Sequence, residues 1–179
     1  VKMCKSELNV LKVELKVPKK FPRITMDEAK KLLAAKGKKL PADADLDSEA
    51  ESLLGKIVKE KWKNNFIFVY NYPWKKRPFY HMKPADNSNV TSSFDLLWNG
   101  LEVATGAQRE HRYEVLKKQA AEKGINLDEM RDYANIFKYG CPPHGGTGLG
   151  LDRFVEAALH LDNIREGILL PRDPERITP

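Results

Sequence analysis

Apolar residues recur at two different periods along this chain, and the changes of period mark its elements. Leu8, Leu11 and Leu15 fall at helical spacing until Pro18 and Pro22 break the run. Three Ser/Thr/Asn-x-x-Glu pairs then read as helix starts. Thr25 with Glu28 opens a helix that Gly37 closes. Ser48 with Glu51 opens a second, bearing Leu53, Leu54, Ile57 and Val58, and Asn126 with Glu129 opens a third that ends near Gly140. In each pair the two side chains satisfy backbone N–H groups that the first helical turn leaves unpartnered. Between the second and third helices the pattern turns strand-like. "FIFVYNYP" (66–73) is a short apolar run stopped by Pro73, and "TSSFDLLW" and "LEVATGAQ" flank Asn99-Gly100, a strong hairpin signal. Residues 112–123 return to helical spacing before Gly124. The last helix starts at about Leu151 and carries Leu151, Phe154, Val155, Ala158 and Leu159 at i, i+3, i+4, i+7 and i+8, a stripe predicted to be buried. The pattern predicts an α+β fold with an antiparallel sheet faced by helices, in one domain over 1–179.

The hairpin brings candidate chemistry with it. A two-residue Asn99-Gly100 turn sets Trp98 opposite Leu101, Leu97 opposite Glu102 and Asp95 opposite Ala104. Asp95 and Glu102 then share a face as diagonal neighbours, roughly 7–8 Å apart at the backbone. Two carboxylates within reach of one ion suit Mg²⁺ held together with substrate phosphates. On spacing alone a solvated acidic face fits equally well. Arg109 lies seven residues past Glu102, so strict alternation sends it to the other face. A bulge or strand end near Gly106 would re-aim it; an arginine there pairs bidentately with a carboxylate, or serves, as the residue taken alone suggests more strongly, as a surface arginine at a helix start.

In "GGTGLGLDRF" (145–154), glycines occupy every second position at Gly146, Gly148 and Gly150. A strand built this way has one face bare of side chains, at a cost in backbone entropy. The spacing is neither a dinucleotide fingerprint nor a P-loop. What remains is a bare strand surface followed by Arg153 in the first helical turn, a residue able to stack on a planar ring or meet a phosphate. Close helix-on-sheet packing explains the glycines as well as a flat ligand does.

Composition adds a charge asymmetry. Residues 1–41 hold twelve Lys and Arg against four Asp and Glu, a net of +8 in a chain whose total is +6. A basic block of this kind serves either as a solvated surface or as a contact for nucleic acid. Cys4 and Cys141 are too few for a disulfide framework and lack metal-ligand spacing, and no apolar run is long enough for a membrane span. These features read as a soluble protein of a reducing compartment, the cytoplasm, with no membrane partner.

Taken together, the segments resemble a known family. "GCPPHGGTGLGLDRF" is similar to motif 3 of class II aminoacyl-tRNA synthetases, and "RPFYHM", "SSFDLLWNGLEVATGAQREH", "FKYGCPPHGG" and "NIREGILLPRDPERITP" resemble aspartyl-tRNA synthetases of the archaeal and eukaryotic type. The resemblance implies ATP-driven activation of aspartate and its transfer to tRNA. It implies that Asp95 and Glu102 hold Mg²⁺ on ATP, and that Arg109 grips the side-chain carboxylate of aspartate with Thr105 beside the substrate. By the same resemblance Arg153 stacks on adenine and meets the γ-phosphate, over the bare strand of Gly146, Gly148 and Gly150. Asparaginyl-tRNA synthetases are the second choice, and lysyl-tRNA synthetases, which lack "GAQR", follow. Departures from the aspartyl pattern are His81, Thr147 and Asp152.

Motif 1, motif 2 with its Phe-Arg-x-Glu signature, an upstream lysine and the anticodon-reading β-barrel have no counterpart in these 179 residues. The chain is therefore expected to correspond to the C-terminal half of a catalytic core and to be inactive alone. It is expected to bind tRNA weakly or not at all, and to pair with a second copy or with the N-terminal half. The alternative is a truncated, non-catalytic paralogue that binds a nucleotide or a partner.

Overall fold

The computed structural model describes residues 1–178. Five strands form one sheet in the order β1-β2-β3-β4-β5: Arg23–Thr25, Phe66–Tyr70, Ser93–Trp98, Leu101–Arg109 and His144–Leu149. Six α-helices accompany them: α1 Lys5–Leu11, α2 Met26–Ala35, α3 Ser48–Trp62, α4 Tyr113–Glu122, α5 Arg131–Lys138 and α6 Leu151–Leu159. The sheet is not wholly antiparallel, as the strand pattern had predicted. β1 runs parallel to β2, because α2 and α3 form a helical crossover between them, whereas the other three pairings are antiparallel.

Three apolar clusters hold this arrangement. α2 and α3 bury Leu33, Leu54, Ile57 and Val58 against Ile67, Val69 and Leu97 on one sheet face. On the opposite face Phe66, Trp98 and Val103 meet Ala157 and Ala158 of α6. The third cluster lies beyond the end of β4, where Leu116 and Ala120 of α4 and Ala134 and Phe137 of α5 pack around Phe79.

Local signals placed the elements well and their ends less well. Thr25 and Glu28 form a full capping box on α2. On α3 the cap is Asp47, not Ser48: its carboxylate accepts the Ala50 N–H at 2.7 Å, which leaves Glu51 free for another partner. Asn126 opens a 3-10 turn, Leu127–Met130, before α5, and it bonds to Glu129 side chain to side chain. α1 stops at Lys12, which is left-handed (φ 56°), so Leu15 lies outside it and packs beside the Phe66–Trp98 cluster. β2 ends at Tyr70, short of Pro73, because Asn71 turns to positive φ. The predicted α6 stripe is only half realised. Leu151 is 67% exposed and Phe154 touches Trp98 at its rim, while Ala157 and Ala158 make the buried contact.

Candidate active site

The register of the β3–β4 hairpin decides what shares a face. Trp98 pairs with Leu101 and Leu97 with Glu102, as a two-residue turn requires. The next pairs are Leu96 with Ala104 and Asp95 with Thr105, one step away from the predicted Asp95–Ala104 pairing. Val103 is the extra residue, a β-bulge in β4. It lies upstream of the predicted position near Gly106, and its effect runs further. Because of it Glu102 and Thr105, three residues apart, lie on one face, and alternation then carries Ala107 and Arg109 there too. Directly opposed residues extend that face in rows: Val69, Asp95, Thr105 and Gly148; Ser93, Ala107 and Gly146; Arg109 and His144.

The bulge also sets the start of α6. Gly150, the residue before the helix, donates its N–H to the Val103 carbonyl at 2.9 Å. Arg153 donates from Nη1 to the Glu102 carbonyl at 3.1 Å and lies 3.7 Å from the Glu102 carboxylate. Arg153 stays half exposed beside the bare part of β5. A Cβ at Gly148 would meet nothing within 4 Å, whereas one at Gly146 would come within 3.1 Å of Arg109 Nη2. The glycines therefore do three jobs: Gly146 makes room for Arg109, Gly148 leaves open floor, and Gly150 belongs to the helix start and not to the strand.

The acidic side holds a surprise. Asp95 is 3% exposed and both its oxygens accept from Arg77, Nη2 to Oδ2 at 2.6 Å and Nη1 to Oδ1 at 3.2 Å. Arg77 Nη1 also reaches the Thr105 hydroxyl at 3.3 Å, and the guanidinium lies 3.7 Å over the Tyr72 ring. Burial opposes the Arg77 charge, but the Asp95 partnership outweighs it and raises the pKa. Sequence reasoning had missed Arg77, which sits in "KKRPF" behind two ordinary surface lysines. It had also missed Glu51. Burial and the neighbouring Glu102 push the Glu51 carboxyl up to about 7. Glu102 is raised too, by burial first and by Asp95 second, with Arg153 and Arg77 opposing.

The surplus of negative charge around Glu102 tests the fit of a divalent cation. A carboxylate whose proton is held by a nearby carboxylate is a good seat for a metal ion. Among the described residues no three His, Cys, Asp or Glu side chains cluster as a closed metal cage. Mg²⁺ needs no such cage when phosphates supply the remaining oxygens. Glu102 fits the role directly; Asp95, already clasped by Arg77, fits it only at one remove.

Arg109 completes the face at its far end. Its guanidinium lies 4.6 Å over the Tyr80 ring, and its Nη1 is buried without a hydrogen-bond partner. A planar cation with unused donors, between open floor and an aromatic wall, is what a carboxylate ligand requires.

Glu102, Arg109 and the bare part of β5 thus share one sheet face, and Arg153 reaches its border from α6, which packs on the other face. The family model "tRNA synthetases class II (D, K and N)" matches residues 1–174, and the chain belongs to that family. Within it the neighbours are mostly of the aspartate kind. The chain is 47% identical over 174 residues to the aspartate–tRNA(Asp) ligase of Pyrococcus furiosus, covering 97% of this chain and 40% of that protein. The aspartyl-tRNA synthetase of Entamoeba histolytica superposes with a TM-score of 0.89 at 37% identity, over 93% of this chain and 34% of that one. The asparaginyl-tRNA synthetase of Pyrococcus horikoshii superposes with the same TM-score, 0.89, at 31% identity, over 99% and 43%. The chain thus spans about two fifths of the length of the curated relative it matches. No helix among the described residues is long and apolar enough to cross a membrane.

Proposed function

We propose that this chain forms the ATP- and aspartate-binding half of an aspartate–tRNA ligase core. The single observation that carries the reading is the placement of Glu102, Thr105, Gly148 and Arg109 on one sheet face with Arg153 at its border. Arg153 is set to cover the nucleotide base over Gly148. Glu102 would hold Mg²⁺, with Asp95 behind it paired to Arg77; when bound, the ion neutralises phosphate oxygens. Arg109 fixes the side-chain carboxylate of the amino acid, with Thr105 on the floor beside it. The residues present position and neutralise, which is most of what adenylate formation asks of a protein. The two solved neighbours share one TM-score, so the fold does not separate aspartate from asparagine. Arg109 does: a guanidinium pairs with a carboxylate and gains little from an amide.

The reading places the protein in the cytoplasm, with tRNA as acceptor and with a second copy, or further synthetase sequence, covering the rest of the site. The basic first 41 residues serve mainly as solvated surface. The test is Mg-ATP binding by the pure chain, followed by aspartate-dependent pyrophosphate exchange. Binding that weakens about tenfold or more on Arg153→Ala, the loss of one charged contact, with no exchange by the chain alone, is the expected result. ATP binding indifferent to Arg153 overturns the site. Exchange by the chain alone overturns the view that it is half of the machinery.

A further inference from the structure

His81 is a buried polar group that the proposed chemistry leaves unused. It is 5% exposed, and its Nδ1 is buried with no hydrogen-bond partner. Such atoms are rare in folded proteins, because an unpaired buried donor or acceptor has given up water without gaining a partner. Three more orphans belong to the groups that surround it: Arg109 Nη1, Arg77 Nε and Gln119 Oε1.

The backbone explains how His81 arrives there. Residues 80–82 run antiparallel to the end of β4: His81 bridges to Arg109, Met82 N–H donates to the Gln108 carbonyl, and Glu110 N–H donates to the Tyr80 carbonyl, the last two at 2.9 Å. From the other side Gln119 of α4 ties down the carbonyls of Phe79 and His81 at 2.6 and 3.1 Å. The His81 ring meets the Tyr80 ring edge-on at 5.2 Å, and Arg109 lies over that same Tyr80 ring. Imidazole, phenol and guanidinium form one contiguous wall.

We infer that His81 is a specificity-determining residue of the Arg109 pocket, lending an imidazole N–H to the side-chain carboxylate of the amino-acid substrate. This rests on the aspartate reading of Arg109 and deepens it. The charges around the ring are Arg109 on β4, Arg77 ahead of it in the chain, and Asp95 on β3. Burial and then the two arginines hold its pKa down to about 4, with Asp95 opposing. At neutral pH the ring is thus uncharged. An uncharged imidazole within the field of two guanidinium groups adds a hydrogen bond without adding repulsion to Arg109. A carboxylate has two oxygens, and Arg109 and His81 supply donors from two directions. An amide offers one oxygen and brings an NH₂ against donors, which leaves a buried mismatch.

The experiment titrates the pure chain with L-aspartate and separately with L-asparagine. NMR follows the side-chain nitrogens of His81 and Arg109, and the titrations are repeated on His81→Gln and His81→Ala. The expected result is that aspartate shifts both residues while asparagine shifts them weakly. Both variants should keep a native amide spectrum and lower the aspartate-over-asparagine preference about tenfold, the worth of one hydrogen bond to a charged group. If aspartate moves Arg109 but leaves the His81 signals and the preference unchanged, His81 is not part of the pocket while the pocket itself stands. If aspartate moves neither residue, the aspartate reading of Arg109 falls, and the role of His81 with it.

Discussion

Arg77 and Asp95 meet through two hydrogen bonds of 2.6 and 3.2 Å beneath the candidate site, with side-chain exposures of 11% and 4%. The pair joins the segment before Pro78 to the centre of the sheet, so it is both a brace and a store of charge. Removing one partner strands the other. Arg77→Met should lower stability by about 3–5 kcal/mol, the range for a broken buried ion pair. Arg77→Met with Asp95→Asn should recover part of that loss, because no bare carboxylate remains. Urea denaturation of both variants measures this; equal losses in the two would mean that packing over Tyr72, not charge, explains the effect.

Glycine substitutions should separate scaffold from site. Gly55 of α3 and Gly100 of the hairpin turn touch backbone to backbone: a Cβ at Gly55 would lie 2.6 Å from Gly100 N. Gly55→Ala should therefore cost about 1–3 kcal/mol as an overpacked contact and shift the hairpin that carries Glu102. Gly148 faces open floor, so Gly148→Ala should leave the melting temperature unchanged or slightly higher. It should nevertheless weaken Mg-ATP binding, because its methyl group stands where the nucleotide would lie. Calorimetric melting and nucleotide titration on the same two samples check the contrast. A Gly148→Ala chain that binds ATP as well as the native one removes the floor from the site.

These contrasts also show how much could be read from residues alone. The Asn99-Gly100 turn and the Thr25–Glu28 box are local devices, complete within four residues, and both were legible. The Val103 bulge was not. Its cause is tertiary: the Val103 carbonyl is taken by Gly150, nearly fifty residues away, and nothing in "LEVATG" announces an unpaired residue. Without the bulge, strict alternation puts Arg109 on the wrong face, so the arginine could be linked to the acids by family resemblance but not by pattern. Asp47 took the α3 cap from Ser48 because a carboxylate one residue upstream reached Ala50 first. That exchange released Glu51 to approach Glu102, a contact across two elements that no spacing rule contains.

The open edge of β5 should make the isolated chain self-associate. β4 lines one side of β5 and, among the described residues, no strand lines the other; Leu149, at its end, is exposed, and so is Leu151 just beyond it. Unpaired strand edges beside exposed apolar residues invite pairing with another chain. Sedimentation velocity over a concentration series should show reversible growth in mass, and Leu149→Lys should reduce it without altering the melting temperature. A chain that stays monomeric throughout would show that the glycine-rich edge is too mobile or too short to template pairing.

Glu51 makes stability depend on pH in an unusual direction. Its carboxyl is raised from an ordinary 4.5 to about 7, first by burial and then by Glu102, with Asp95 adding to the effect and Arg153 opposing it. In the unfolded chain the group loses its proton near 4.5, whereas in the folded chain it keeps it to about 7. Between those values Glu51 gives the folded state an extra proton, so its own contribution falls as pH rises, while His81, held down to about 4 from 6.5, contributes in the opposite sense up to 6.5. The contribution is complete below pH 4.5, declines through the window and is gone above about 7. Most paired carboxylates act the other way, which makes the sign diagnostic. Glu51→Gln imitates the protonated form at every pH and should flatten the decline while matching the native chain at the acidic end. Glu102 shares the upward direction, so the difference between native and variant should grow when Glu102→Gln is added to Glu51→Gln, the His81 contribution cancelling in each difference. Urea midpoints from pH 4.5 to 8 on the three proteins resolve the two contributions; a stability difference between the native chain and Glu51→Gln that climbs across that window would show that Glu51 is charged in the fold and held by a cation in place of a proton.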